Sequence, residues 1–214
     1  MKRILLSAAI SGVVISCGDS KTNNEEPKES ILQQKNVTTD TIAIVQSSQL
    51  RFDDALSALK DKRKKEAAMI LQAAVKLLKG EKEDIKINDV KDKMQLAVSN
   101  IEAAEDSLED KKDINFRFLK KNISRTELLL AKHYFTSLEI PESVDKTYVA
   151  MNKTVELMEA GLLHSDDNMK MDDVKIVADT KLFLKKPSTD KTKYAKEMKE
   201  HVQKIKQLLE EHTK

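Results

Sequence analysis

The chain has 214 residues, of which 35% are charged and only 4% aromatic, with four Gly, three Pro and no Trp. Its 38 Lys and Arg nearly balance 36 Asp and Glu, which excludes the basic excess that a nucleic-acid partner requires. Abundant Lys, Glu, Leu and Ala with few helix breakers predict an all-α protein, and the length allows one domain or two small ones.

Lys2 and Arg3 form a short positive region, followed by an apolar stretch from Ile4 to Ile15 diluted only by Ser7, Ser11 and Gly12. As a helix that stretch is ~18 Å long, too short for the ~30 Å hydrocarbon core of a bilayer. Residues 1–16 therefore read as a cleavable export signal and not as a membrane span. Val14-Ile15-Ser16-Cys17 then resembles the lipobox of bacterial lipoproteins, an aliphatic residue and a small one ahead of a cysteine. The resemblance implies diacylglycerol on the Cys17 sulfur, cleavage just before it and acylation of the new amino terminus. Several acyl chains, at ~0.8 kcal/mol per buried methylene, hold a protein stably at a membrane where one does not. Cys17 is the only cysteine, so no disulfide forms within the chain. Loss of residues 1–16 removes Lys2 and Arg3 and no acidic residue, leaving 36 basic and 36 acidic residues and a formal charge of zero. Gly18, where an Asp would retain a lipoprotein at the inner membrane, implies the outer membrane.

Residues 17–49 read as a lipidated tether. Asp19 to Pro27 shows no apolar periodicity and predicts disorder. Asp40-Thr41-Ile42 resembles the Asp-Ser/Thr-aliphatic acceptor for O-glycosylation in Bacteroidota-type envelopes, which makes Thr41 a candidate. Asp106-Ser107-Leu108 fits the same short pattern, with chance occurrence the plainer reading there.

From residue 50 to 214 the apolar residues recur at helical spacing. Phe52, Ala55, Leu56 and Leu59 form a short stripe, which the charged run 60–65 interrupts. That run resembles a phosphate-binding patch, but Asp61 and Glu66 flank it, and a solvated turn is the simpler reading. Ala67, Ile70, Leu71, Ala74, Leu77 and Leu78 resume the pattern up to Gly80, expected near a C-cap. Asp89 is expected to cap a helix carrying Val90, Met94, Ala97, Ile101, Ala104 and Leu108. Further helices are predicted over 115–137, from Pro141 through Leu162, over 172–185 and over 193–212.

An internal echo organises these helices. Residues 74–78, 89–91 and 127–129 recur with changes at 154–158, 173–175 and 207–209, in the same order and near 80 residues apart. The predicted architecture is an antiparallel helical bundle of two pseudo-repeated three-helix units, packed together because each alone has a thin core. Ala55-Leu56-Ser57-Ala58-Leu59, the charged turn and Lys65-Glu66-Ala67-Ala68 resemble the opening of YfdX-type helical envelope proteins. Leu130-Ala131-Lys132-His133-Tyr134 resembles segments of uncharacterised helical lipoproteins. These likenesses cover about a quarter of the chain, imply the helical fold and carry no activity with them.

The histidines are His133, His164, His201 and His212, and no pair has the i, i+4 spacing of a helical zinc site. His133, beside Tyr134 and Phe135, is the best single candidate for a metal or haem ligand; a histidine satisfied on a helix face is the plainer reading. His164, Asp166 and Asp172 belong to the densest set of potential ligands, residues 164–173. That set mixes carboxylates with Met169 and Met171 and points to no single metal. An interhelical loop whose Asp172 and Asp173 favour the following helix N-terminus accounts for it as well. No phosphate loop, serine elbow or metalloprotease motif occurs.

Composition and motifs thus predict a non-enzymatic, lipid-anchored envelope protein with no resident cofactor, serving a structural or binding role toward a membrane or envelope-protein partner. The alternative is a periplasmic carrier of a metal, haem or small ligand, using His133 or the 164–173 loop.

Overall fold

A computed structural model describes residues 47–136, 144–165, 170–186 and 190–214. Among the described residues every regular element is helical. They are α1 (Ser47–Leu50), α2 (Phe52–Lys60), α3 (Lys64–Asp84), α4 (Asn88–Glu109), α5 (Phe116–Thr136), α6 (Val144–His164), α7 (Met171–Leu184) and α8 (Lys191–His212). Residues 1–16, read from the sequence as an export signal, and Cys17, Thr41, Pro141 and Asp166 lie outside the described residues.

Side-chain caps set the starts of α5 and α8. Asp190 caps α8, its Oδ1 accepting from the Thr192 and Lys193 amides at 3.0 Å each. Asn115 does the same for α5 through the Phe118 amide at 3.0 Å. Both side chains satisfy amides that the first helical turn leaves without carbonyl partners. The expectation for Asp89 is displaced slightly: α4 starts from Ile87 as N-cap, and Asp89 sits in its first turn. The bundle also starts earlier than residue 50, since α1 begins at Ser47 and Leu50 is fully buried.

Gly80 does not end its helix. α3 continues to Asp84 and stops where Ile85 turns extended, at φ −72° and ψ 115°. The reason is tertiary: Leu71, Ala74, Leu78, Glu81 and Ile85 are all buried on one stripe. The Tyr134 hydroxyl on α5 donates to Glu81 Oε2 at 2.6 Å. A glycine costs a helix only ~1 kcal/mol, and packing on this scale overrides it.

Helices α2 to α8 follow one another as packed neighbours, with α4 on α3, α5 on α4, and α6 on α5, while α8 returns to α5. α5 is the central helix. Twelve of its residues are buried, including Asn122, Ser124, Thr126 and Glu127, and burial around so much of its circumference fits a helix surrounded by others. Its polar groups are paired: Asn122 Oδ1 accepts from Asn100 on α4 at 2.9 Å, and Asn122 Nδ2 donates to the Phe118 carbonyl at 2.8 Å. The echo in the sequence pairs α3 with α6, α4 with α7 and α5 with α8. Their lengths are 21 and 21, 22 and 14, and 21 and 22 residues, so the middle helices differ most.

Candidate functional site

The most concentrated polar chemistry in the interior lies where α2, α5 and α6 meet. Glu127 occupies a position on α5 that spacing assigns to the core, four residues after Ile123 and three before Leu130. α6 approaches α5 closely because residue 161 is glycine. A Cβ there would lie 2.7 Å from Leu128 Cγ and 3.2 Å from the Ser124 carbonyl oxygen. In the same contact the Ser124 hydroxyl donates to the Gly161 carbonyl at 2.7 Å. The last turn of α6 is thereby pressed against α5, and His164 enters the interior.

Both ring nitrogens of His164 are engaged. Nδ1 lies 2.7 Å from Glu127 Oε2, and Nε2 lies 2.9 Å from Asp53 Oδ1 on α2. An ionised carboxylate only accepts, so a ring that donates to both carries both protons as the imidazolium. Burial alone pulls His164 toward its neutral form, but the hydrogen bonds and charges of Glu127 and Asp53 outweigh burial and raise its pKa. For Glu127 burial dominates and pushes the carboxyl above its usual range, with the His164 bond and charge opposing it. Glu127 is 1% exposed, whereas the Asp53 side chain is 90% exposed. The arrangement is an imidazole ring clamped between one buried and one solvated carboxylate. It fastens three helices, and the ring has no nitrogen left for a metal or a substrate.

Of the other histidines, His201 and His212 each engage one ring nitrogen. In the 164–173 set, Asp172 is exposed in the first turn of α7, and Asp173 is buried against His212, whose Nε2 lies 2.8 Å from its Oδ2. His201 Nδ1 meets the Thr180 hydroxyl at 2.9 Å, and its ring stacks on Phe183 with centroids 4.5 Å apart. Burial lowers the pKa of His201, aided by Lys204. His133 is half-buried beside the Tyr134 ring, at 5.1 Å between centroids, and burial lowers its pKa as well. No group of three His, Cys, Asp or Glu side chains among the described residues converges as a metal site. In the Asp53–His164–Glu127 cluster the two carboxylates sit at opposite ring nitrogens, so they cannot share one ion.

The basic turn is largely consumed internally. Arg63 pairs with Asp61 at 2.9 Å and with Glu66. Lys64 Nζ donates to the Lys111 and Lys112 carbonyls at 3.3 and 3.2 Å and to Asp113 at 2.6 Å. It thus neutralises the carbonyl end of α4, where a cation is favoured. Ser107, in the second glycosylation-like triplet, donates to the Ala103 carbonyl within α4 at 2.8 Å.

Sequence spacing alone did not single out Glu127, Asp53 or the Asp173–His212 pair. For Glu127 a signal was present: a charged residue in the middle of an apolar stripe. Glu81 and Glu105 share that signature, and Glu105 meets Gln72 of α3 at 3.5 Å. Asp53 carries no such signal, being an ordinary acidic residue in the first turn of α2. Comparison with protein-family models, with curated proteins and with solved structures finds no match to this chain.

Proposed function

We propose that this chain is a non-enzymatic, lipid-anchored helical protein of the bacterial cell envelope. Acyl chains on Cys17 hold it at the outer membrane, and its bundle binds or braces an envelope partner. The observation that carries the reading is Val14-Ile15-Ser16-Cys17 at the end of a short apolar stretch that follows Lys2 and Arg3. No helix among the described residues is long and apolar enough to cross a membrane. The engagement of both His164 ring nitrogens, with Glu127 and Asp53, favours a binding or structural role over a metal or haem carrier at that residue. A carrier needs ring nitrogens open to its cargo.

The test is metabolic labelling with a fatty acid in cells expressing the full chain. The wild type takes up label and fractionates with the outer membrane, and Cys17→Ser does neither. Equal labelling of both proteins overturns the anchor, and with it the envelope assignment.

A further inference from the structure

α7 is apolar on two sides. Its inner side buries Val177 and Leu184, together with Asp173 and Thr180, each of which meets a histidine of α8. Its outer side presents Met171, Val174, Ala178 and Leu182, spaced three, four and four residues apart, all exposed to solvent. Met171 is 84% exposed and Leu182 56%. A helix with one buried and one polar side needs no further partner; a second apolar stripe at helical spacing marks a surface made to be covered.

The neighbouring helix extends the same surface. The seam between α6 and α7 is marked by the Lys181–Glu159 ion pair and by the Tyr148 hydroxyl donating to the Leu184 carbonyl at 3.1 Å. On α6, Met151, Met158 and Leu162 turn to the core, as Val177 does on α7. The outward side of α6 carries Val149 and Leu163, 49% and 61% exposed. By the 100° step of the helix these project to the same side of the seam as the α7 stripe.

The charges beside this stripe select its occupant. Lys175 and Asp179 lie on one flank, four residues apart, and neither forms an ion pair among the described residues. If a second α7 is laid antiparallel over the first with its centre between residues 176 and 177, Met171 falls opposite Leu182 of the other copy, and Val174 within one residue of Ala178. Lys175 then lies within one residue of Asp179 of the other copy, on the same flank, and two-fold symmetry makes that pair twice. The helix dipoles also favour the antiparallel pairing.

We propose that the outer face of α6 and α7 is a self-association surface, on which a second copy of this chain docks antiparallel through α7. The 14 residues of α7 span only ~21 Å. That seam alone falls short of the ~1,200 Å² of a stable interface, so Leu163 and Val149 at its margins complete it and the dimer is a weak one, of micromolar affinity.

The test is sedimentation equilibrium of the full chain in mild detergent up to about 100 µM, a range that reveals micromolar association. The wild type dimerises. Leu182→Glu, on the exposed side where folding is unaffected, weakens the dimer by ~10-fold or more. Lys175→Asp and Asp179→Lys each weaken it, and the two together restore it, because the exchanged charges meet again across the two-fold axis. A wild type that stays monomeric overturns the proposal; that is also the result if another segment of the same chain, such as residues 41–46, covers this face. A dimer indifferent to Leu182→Glu overturns it by placing the interface elsewhere. Failure of the double exchange to restore association overturns the antiparallel register. Fatty-acid labelling is indifferent to every one of these outcomes.

Discussion

His164 lies between Glu127 and Asp53, 2.7 Å from one carboxylate and 2.9 Å from the other, so a single imidazole joins α6 to α5 and to α2. The two carboxylates depend on it unequally. Glu127 is buried, and without the ring its charge has neither solvent nor counter-ion. Removing one partner of a buried pair costs more than the pair contributes, because the other charge is stranded. His164→Ala is therefore expected to lower stability by ~3 kcal/mol. Asp53→Asn touches a solvated partner and should cost less than ~1 kcal/mol. Urea unfolding of the two variants separates these cases, and equal losses would contradict the asymmetry of burial.

The same contact sets a pH dependence whose sign is determined. His164 and Glu127 both have folded-state pKa values above their ordinary ones. A raised folded pKa contributes stability that is complete below the unfolded value and is lost as pH rises through the folded one. The loss begins above the usual glutamate range near ~4.3 for Glu127, and above ~6.5 for His164. The stability gap between wild type and His164→Gln should thus narrow as pH is raised from about 6 to about 9. His133 runs the other way: burial lowers its pKa, so its contribution is present above ~6.5 and is lost on acidification. In His133→Gln the acid side of the stability profile should flatten. Urea midpoints measured across this pH range check both, and a gap that widens with pH for His164→Gln would reverse the assignment.

Much of the bundle was legible because burial follows the three- and four-residue rhythm of the apolar positions. The spacing puts Val90, Met94, Ala97, Ile101, Ala104 and Leu108 on one face, and all are buried on α4 except Ala104, which is half-buried. The reading of Gly80 as an end failed because local punctuation is weak against packing: Glu81 and Ile85 lie beyond it on the same buried stripe. Of the polar cluster, His164 was read as part of a loop, since spacing cannot reveal which partner a residue meets. Its contacts lie 37 and 111 residues away in sequence. Glu127 could have been found, as an acid inside an apolar stripe; Asp53 could not.

Two lysines hold a backbone conformation better suited to glycine. Lys62 and Lys111 follow the ends of α2 and α4, each with φ 61°. Around Lys62 its own amide donates to the Leu59 carbonyl and the Arg63 amide to the Ala58 carbonyl, at 3.0 and 2.7 Å. Around Lys111 the bonds to the Leu108 and Ser107 carbonyls repeat the pattern, at 3.0 and 2.8 Å. This is the Schellman closure, whose left-handed residue is usually glycine because a Cβ is crowded there. Lys62→Gly and Lys111→Gly should each raise stability by ~0.5–1 kcal/mol. Alanine at either position should bring no gain. Thermal unfolding of the four single variants decides it, since a general benefit from losing surface charge would raise the alanine variants equally.

The two glycines inside helices have opposite surroundings, and alanine should affect them oppositely. At Gly80 a Cβ would meet nothing within 4 Å, and among the described glycines none has positive φ. Gly80→Ala should therefore stabilise by about 1 kcal/mol, the difference in helix propensity and unfolded-chain entropy. At Gly161 the new Cβ would stand 2.7 Å from Leu128 Cγ and 3.2 Å from the Ser124 carbonyl. Leu128 Cγ is close to its own backbone and cannot swing aside, so α6 must back away from α5. That movement stretches the Ser124–Gly161 bond and then the His164–Glu127 contact that the close approach supports. Gly161→Ala should lose ~1–3 kcal/mol despite its better propensity. It should also shift the His164 pKa back toward the ordinary histidine value as Glu127 recedes. Proton NMR titration of the histidine ring reads that shift directly. A destabilised Gly161→Ala whose His164 titration is unchanged would mean that the two contacts are independent.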